Sequence, residues 1–234
     1  MLCRILAATG VAGIPDSHFH SPSVSKWMGY YDLKPDSTKS EKDFLVEIFR
    51  EARIRGTGNT GMFGLRLQRH SFDFFMEKLQ VLVPGCASER ERIQNVFGRT
   101  LFIHLTRQNK LEQAISYVKA SQTGLWHKAP NGQELERVSE PQAPVYDAKA
   151  IQRHLTELGN MDKSWSAWFA KEQLVPLRIN YEDLSDDPIA IAGVILEYLG
   201  LDKRLVIGVE RPVAKLADAT NRQWANRYRA ENGY

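Results

Sequence analysis

Arg107 and Ser116 lie nine residues apart, on either side of a change in the sequence pattern. Before Arg107, the stretch Thr100–Thr106 reads TLFIHLT, a short run dominated by Leu101, Phe102, Ile103 and Leu105 that predicts a buried strand. After it, Leu111, Ile115, Val118 and Leu125 recur at helical spacing, and Asn109 is placed to cap the helix. A guanidinium offers paired donors in a planar fork, and the first amides of a helix favour an anion. Ser116 falls about 100° around the helix from Ile115, at the edge of the apolar stripe, where its hydroxyl can reach a ligand. Strand end, fixed cation and hydroxyl together make a phosphate holder, which points to a nucleotide-using enzyme. The same residues also fit a protein with no ligand there, since arginines often close strands and mid-helix serines are often inert.

A second collection of polar groups falls in Val11–Pro35, a predicted loop punctuated by Gly13, Pro15, Pro22 and Gly29. It gathers His18, His20, Trp27, Tyr30 and Tyr31. Loops of this kind carry function when a scaffold holds them, and surface packing accounts for the same residues. Arg66 and Tyr181–Glu182–Asp183 stand near the ends of two further predicted strands.

The elements that must position these groups alternate along the chain. Helical spacing marks Met1–Thr9, with Gly10 as its stop and no N-terminal cap before it. It also marks Glu41–Arg55, Phe72–Leu82, Ser88–Val96, Asp147–Gln173, Asp187–Leu199 and a basic helix over Asp218–Arg229. Strands are predicted at Gly61–Gln68, Thr100–Thr106 and Val175–Asn180, and a polar loop at Ala129–Pro144. Alternating strands and helices predict an α/β fold, a mostly parallel sheet flanked by helices in three layers, as one domain over residues 1–234. Ligands of such sheets gather at the carboxyl ends of the strands.

Bulk properties narrow the function classes. A net charge of +3 is too small to argue for nucleic acid. No stretch approaches the ~20 apolar residues of a membrane span. Cys3 and Cys86 supply neither a disulfide framework nor metal-ligand spacing, which fits a cytoplasmic protein.

Taken in order, ATGVAGIPDSHFH (Ala8–His20), GMFGLRL (Gly61–Leu67), HLTRQNKLEQAISYVKASQTGLW (His104–Trp126), WSAWF (Trp165–Phe169), YEDL (Tyr181–Leu184) and WANRYR (Trp224–Arg229) resemble the Stf0-type bacterial sulfotransferases over essentially the whole chain. The resemblance implies a P-loop NTPase-like sulfotransferase fold and the donor 3′-phosphoadenosine 5′-phosphosulfate (PAPS). It implies that Arg107 and Ser116 hold the donor's 3′-phosphate, and that ADATNRQW, with Lys215 and Arg222 as candidate cations, closes over the nucleotide. A solvated helical face explains those two cations as well.

Two departures stand out. The family opens with a strand and a Pro-Arg-Ser-Gly-Ser-Thr-like loop around the 5′-phosphosulfate, whereas Met1-Leu2-Cys3 corresponds to the helix after it. The chain is therefore expected to lack its first strand and main anion cradle, through an internal start or a truncated gene. Trehalose-modifying members also place a glutamate base where this chain has Ser17. Asp16 and His18, with His20 nearby, become the candidate bases; a turn role for Asp16 and substrate binding or stacking by the histidines are the alternatives. The implied reaction moves a sulfuryl group from PAPS to a hydroxyl of a carbohydrate, glycolipid or lipopolysaccharide acceptor, with Trp27, Tyr30, Tyr31, Trp165 and Trp168 available to face sugar rings. Core packing competes for the last two, which lie on an apolar stripe. A homodimer is compatible with the family. The rival reading is a catalytically impaired remnant that keeps nucleotide binding or dimerisation.

Overall fold

The computed structural model describes residues 1–210 and 217–233. In chain order the elements are α1 (Leu2–Ala8), α2 (Val24–Tyr30), α3 (Glu41–Thr57), α4 (Arg69–Leu82), α5 (Glu89–Phe97), β1 (Ile103–Thr106), α6 (Lys110–Thr123), β2 (Leu125–Lys128), β3 (Glu134–Arg137), α7 (Ala148–Lys171), β4 (Leu177–Asn180), α8 (Tyr181–Asp186) and α9 (Pro188–Tyr198). A 3₁₀ turn (Lys203–Val206) and α10 (Ala219–Asn232) complete the described residues. No helix among them is long and apolar enough to cross a membrane.

Side chains placed to take up orphan amides begin most of these helices. Ser40 and Asp43 form a reciprocal capping box on α3, Ser88 caps α5, Asp147 caps α7, and Asp187 caps α9 with Pro188 in its first turn. Asp218 and Asn221 form a second capping box on α10.

β1 and β4 pair in parallel, with His104 opposite Arg178 and Thr106 opposite Asn180. Their alternation sends successive side chains to opposite layers. Ile103, Leu177 and Ile179 join the cluster built by α1 and α9 around Ile5, Ile195 and Leu196. Phe102 and His104 face the other way, onto Trp168 and Phe169 of α7. There the largest cluster, around Phe19, Trp27, Phe49, Phe72 and Phe75, draws on α2, α3, α4 and α7. A third cluster joins Ala114, Ile115 and Val118 of α6 to Ile151 of α7 and Trp224 and Tyr228 of α10.

The α/β arrangement of helices around a parallel sheet stands, but the sheet, two strands among the described residues, is smaller than the sequence predicts. Gly61–Gln68 is not a strand; it makes a single parallel bridge, Leu65 with Asp16. Its partner segment carries Gly13 at φ +74° and Pro15, which has no N–H to give, so the ladder stops at Arg66 N donating to Asp16 O, 2.9 Å. Leu125 belongs to β2, not to the stripe of the preceding helix. Gly124 ends α6 in the left-handed region, where a Cβ would stand 2.3 Å from Ser139 Oγ. β2 and β3 form an irregular antiparallel hairpin, with β3 inside the predicted polar loop and β2 just before it. Trp165 and Trp168 pack edge-on or tilted against Phe72, and Trp27 is fully buried, so all three serve the core.

Candidate functional site

Two turns converge where β1 and β4 end. β1 runs out at Thr106, Arg107 follows, and Asn109 caps α6 by accepting the N–H of Glu112 at 3.0 Å. β4 leads directly into α8, whose Glu182 reaches across: its carboxylate accepts the backbone N–H groups of Gln108 and Asn109, both at 3.2 Å. Burial pushes the Glu182 carboxyl up, but these amides and the Arg107 cation outweigh it and hold it below the usual carboxylate range. A carboxylate therefore already sits on the anion-favouring end of α6. The sequence shows Glu182 only as an acidic residue after a strand; its reach to another turn is a product of the parallel pairing.

The Arg107 side chain is 12% exposed. Its Nη2 donates to Glu112 Oε2 at 3.2 Å, its Nε lies 3.9 Å from Glu182 Oε1, and its guanidinium lies 4.8 Å from the centre of the Tyr181 ring. The Nε is buried with no hydrogen-bond partner. Glu112 and Ser116 are one turn apart, on one face of α6. Ser116 Oγ accepts from Asn221 Nδ2 at 3.2 Å, and Lys119 Nζ donates to Asp218 Oδ2 at 2.6 Å and Asn221 Oδ1 at 3.1 Å. The amino end of α10 thus docks directly over Ser116. Asn221 and Lys119 carry no motif in the sequence, although their spacing within Asp218–Asn221 and Ser116–Lys119 suits helical neighbours. Arg222 is exposed beside Asn221, and Lys215 lies outside the described residues.

The second region is the turn from Gly13 to His20. A Cβ at Gly13 would stand 2.4 Å from Met62 O and 2.8 Å from Gly56 O, so its backbone is pressed against two other segments. Ile14 N donates to Gly56 O at 2.7 Å, fixing the same turn. Asp16 is exposed, and its Oδ1 accepts the N–H of Ser17 at 2.7 Å. Ser17 Oγ accepts two donors, Arg66 Nε and Gln68 Nε2, each at 2.7 Å. His20 is exposed and meets the ring of His70 edge-on, with centroids 4.9 Å apart.

His18 points inward. It is 8% exposed, stacks on Phe63 at 5.7 Å, and has Nδ1 3.2 Å from the hydroxyl of Tyr31, while its Nε2 has no partner. Burial lowers its pKa and keeps the ring neutral. Tyr31 is buried with it, its own hydroxyl pushed up by burial, whereas Tyr30 at the end of α2 is exposed. Among the candidate bases, Asp16 and His20 meet solvent and His18 does not.

The family model described as Stf0 sulphotransferase matches residues 1–231. The chain is 29% identical over 252 residues to a trehalose 2-sulfotransferase of Mycolicibacterium smegmatis, covering 99% of this chain and 90% of that protein. It is 28% identical over 251 residues to a trehalose 2-sulfotransferase of Mycobacterium tuberculosis, with the same two coverages.

Proposed function

The chain belongs to the Stf0 sulphotransferase family, and from that premise we propose that it transfers a sulfuryl group from PAPS to a hydroxyl of a carbohydrate-containing acceptor. In this reading the parallel pair and its flanking helices are part of a P-loop NTPase-like sulfotransferase fold. The observation that carries the donor reading is the buried Arg107 Nε, which has no hydrogen-bond partner just before α6, on the side where Glu112, one turn from Ser116, meets the same guanidinium. A donor bound there supplies the activated sulfur, and its 3′-phosphate meets the Arg107 fork and the Ser116 hydroxyl. Glu112 and Glu182 must then yield part of their hold on Arg107, because a second anion beside a carboxylate is repelled. Arg222 stands at the exposed start of α10, positioned to add positive charge, and the family resemblance adds Lys215 as a second candidate cation.

Asp16 is the residue we assign to take the acceptor's proton. It is exposed, on a turn fixed by Gly13 and Ile14, and its carboxylate keeps one oxygen clear of Ser17 N. As the proton leaves, the hydroxyl oxygen bonds to sulfur, the bond from sulfur to the 5′-phosphate oxygen breaks, and adenosine 3′,5′-bisphosphate departs. Such transfers depend on positioning and charge stabilisation. His18 holds the turn through Tyr31 and Phe63, and His20 lines its outer side. Trehalose, the acceptor named for both relatives, is the first acceptor to test.

The deciding experiment is transfer of labelled sulfate from PAPS to trehalose and to cell-envelope extracts, alongside calorimetry with adenosine 3′,5′-bisphosphate. Binding with transfer is the expected result. Binding without transfer returns the remnant reading, and no binding overturns the donor assignment.

A further inference from the structure

Away from both regions, the outer face of α3 carries a groove of about 670 Å³, a size typical of small-molecule sites. Val46, Arg53 and Ile54 line it from α3, and Leu82 and Val96 line it from the ends of α4 and α5. Val46 and Ile54 are 53% and 59% exposed, on a helix whose other face already fills the core. An apolar furrow with a polar rim on an otherwise solvated helix marks a binding surface. The lining holds two cations and no carboxylate. Arg50 is engaged by Glu51 at 3.0 Å, whereas Arg53 makes no ion pair or hydrogen bond among the described residues.

The groove is long and leads somewhere. Val46 to Thr57 spans roughly 16 Å at the helical rise, the reach of an extended chain of about a dozen carbons. At the Thr57 end it passes Gly58, where a Cβ would stand 2.7 Å from Ile14 Cδ1. Ile14 is itself 47% exposed and sits two residues before Asp16. Apolar surface therefore continues from α3 to the turn that carries Asp16.

We propose that this groove holds the alkyl chain of an anionic amphiphile, with the acidic group paired to Arg53, and that the acceptor is a lipid-bearing molecule of this kind. The second half rests on the acceptor role proposed for the Gly13–His20 turn; the first half does not. The probe is dansyl-undecanoic acid, whose emission rises in an apolar site, used below its micelle concentration. Wild-type protein should bind it saturably, dodecyl phosphate should displace it, and inorganic phosphate should not. Ile54→Asp and Val46→Asp, both at exposed positions, should each weaken binding roughly tenfold or more, and Arg53→Ala should weaken the anionic probe more than dodecyl maltoside.

Absence of saturable binding, or equal binding in Ile54→Asp, overturns the proposal. So does a wild-type dimer in sedimentation velocity that Ile54→Asp converts to monomer, because the face then belongs to a second copy. With labelled PAPS and envelope extract, the product should partition into the organic phase and fall in Ile54→Asp. A product confined to water overturns the second half alone. Failure of all transfer overturns the proposed function and leaves the fluorescence result to stand by itself.

Discussion

The end of α6 and the Gly13–His20 turn are both built at segment crossings, but different forces hold them. At α6 nearly every contact is charged: Arg107 with Glu112 and Glu182, Lys119 with Asp218, Glu182 on two amides. At the turn the fixed points are mainly steric, with no ion pair among them: Gly13 against two carbonyls, His18 between Phe63 and Tyr31, and Ser17 accepting from the Arg66 guanidinium and from Gln68. A charged lattice can exchange one anion for another with little movement, which suits a site that takes and releases a nucleotide. A sterically fixed turn holds one geometry, which suits a group that must meet a reacting oxygen.

The contrast can be broken most severely at the turn. Asp16→Asn should lower turnover by about 10²–10⁴, the usual worth of a positioned base, and leave nucleotide affinity unchanged. Normal turnover with the assigned acceptor would move the base elsewhere. Gly13→Ala should cost about 2–4 kcal/mol in urea unfolding, since the added carbon enters two backbone oxygens at a positive φ. An unchanged midpoint would show that the turn shifts freely and that steric fixing is overstated.

At the charged end, Arg107→Ala should weaken adenosine 3′,5′-bisphosphate roughly tenfold or more, from a charged hydrogen bond worth ~1.5–3 kcal/mol. Adenosine 5′-phosphate, lacking the second phosphate, should bind both proteins alike. Equal affinity of wild type and variant for the bisphosphate in calorimetry would remove Arg107 from the site.

The smallest expected effect is on the pH dependence of stability. His18 titrates below its ordinary 6.5 because burial disfavours its cation. The unfolded chain therefore binds more protons than the folded one just below pH 6.5, so stability falls as pH drops through that window and levels off below the folded pKa. His104 is shifted in the same direction by burial, so His18→Gln should flatten only part of the decline. Thermal melts from pH 8 to pH 5 check this; an identical slope in the variant would mean that His18 does not sense the window.

Long amphipathic helices were the most legible part of the fold. The repeating apolar positions in Glu41–Arg55 and Asp147–Gln173 predict α3 and α7 to within two residues at each end, and Pro188 with Gly200 brackets α9 closely. Gly61–Gln68 misleads because its alternation is real while its partner segment cannot sustain a ladder, a fact about Pro15 and Gly13 fifty residues away. The hairpin of β2 and β3 hides because five of its six pairing residues, His127, Lys128, Glu134, Glu136 and Arg137, are polar or charged, so Leu125 alone makes no apolar alternation. Helix α2 hides for a different reason: Gly29 and the nearby prolines outweigh the Ser23 cap in the pattern. Arg107 and Ser116 could be named from type and spacing, and Asp16 from the family resemblance. Arg66 and Glu182 show in the sequence only as residues near strand ends, and Asn221 not at all, because what matters in each is a partner 49 to 105 residues distant.

The docking of α10 over Ser116 also gives the protein an optical reporter. Trp224 is buried in that helix, edge-on to Tyr146 with ring centres 5.9 Å apart, three residues beyond the Asn221 that holds the serine. The other four tryptophans lie on α2, β2 and α7. In a variant that keeps Trp224 and replaces those four with phenylalanine, emission colour would report whether this helix stays packed on α6, with no label attached.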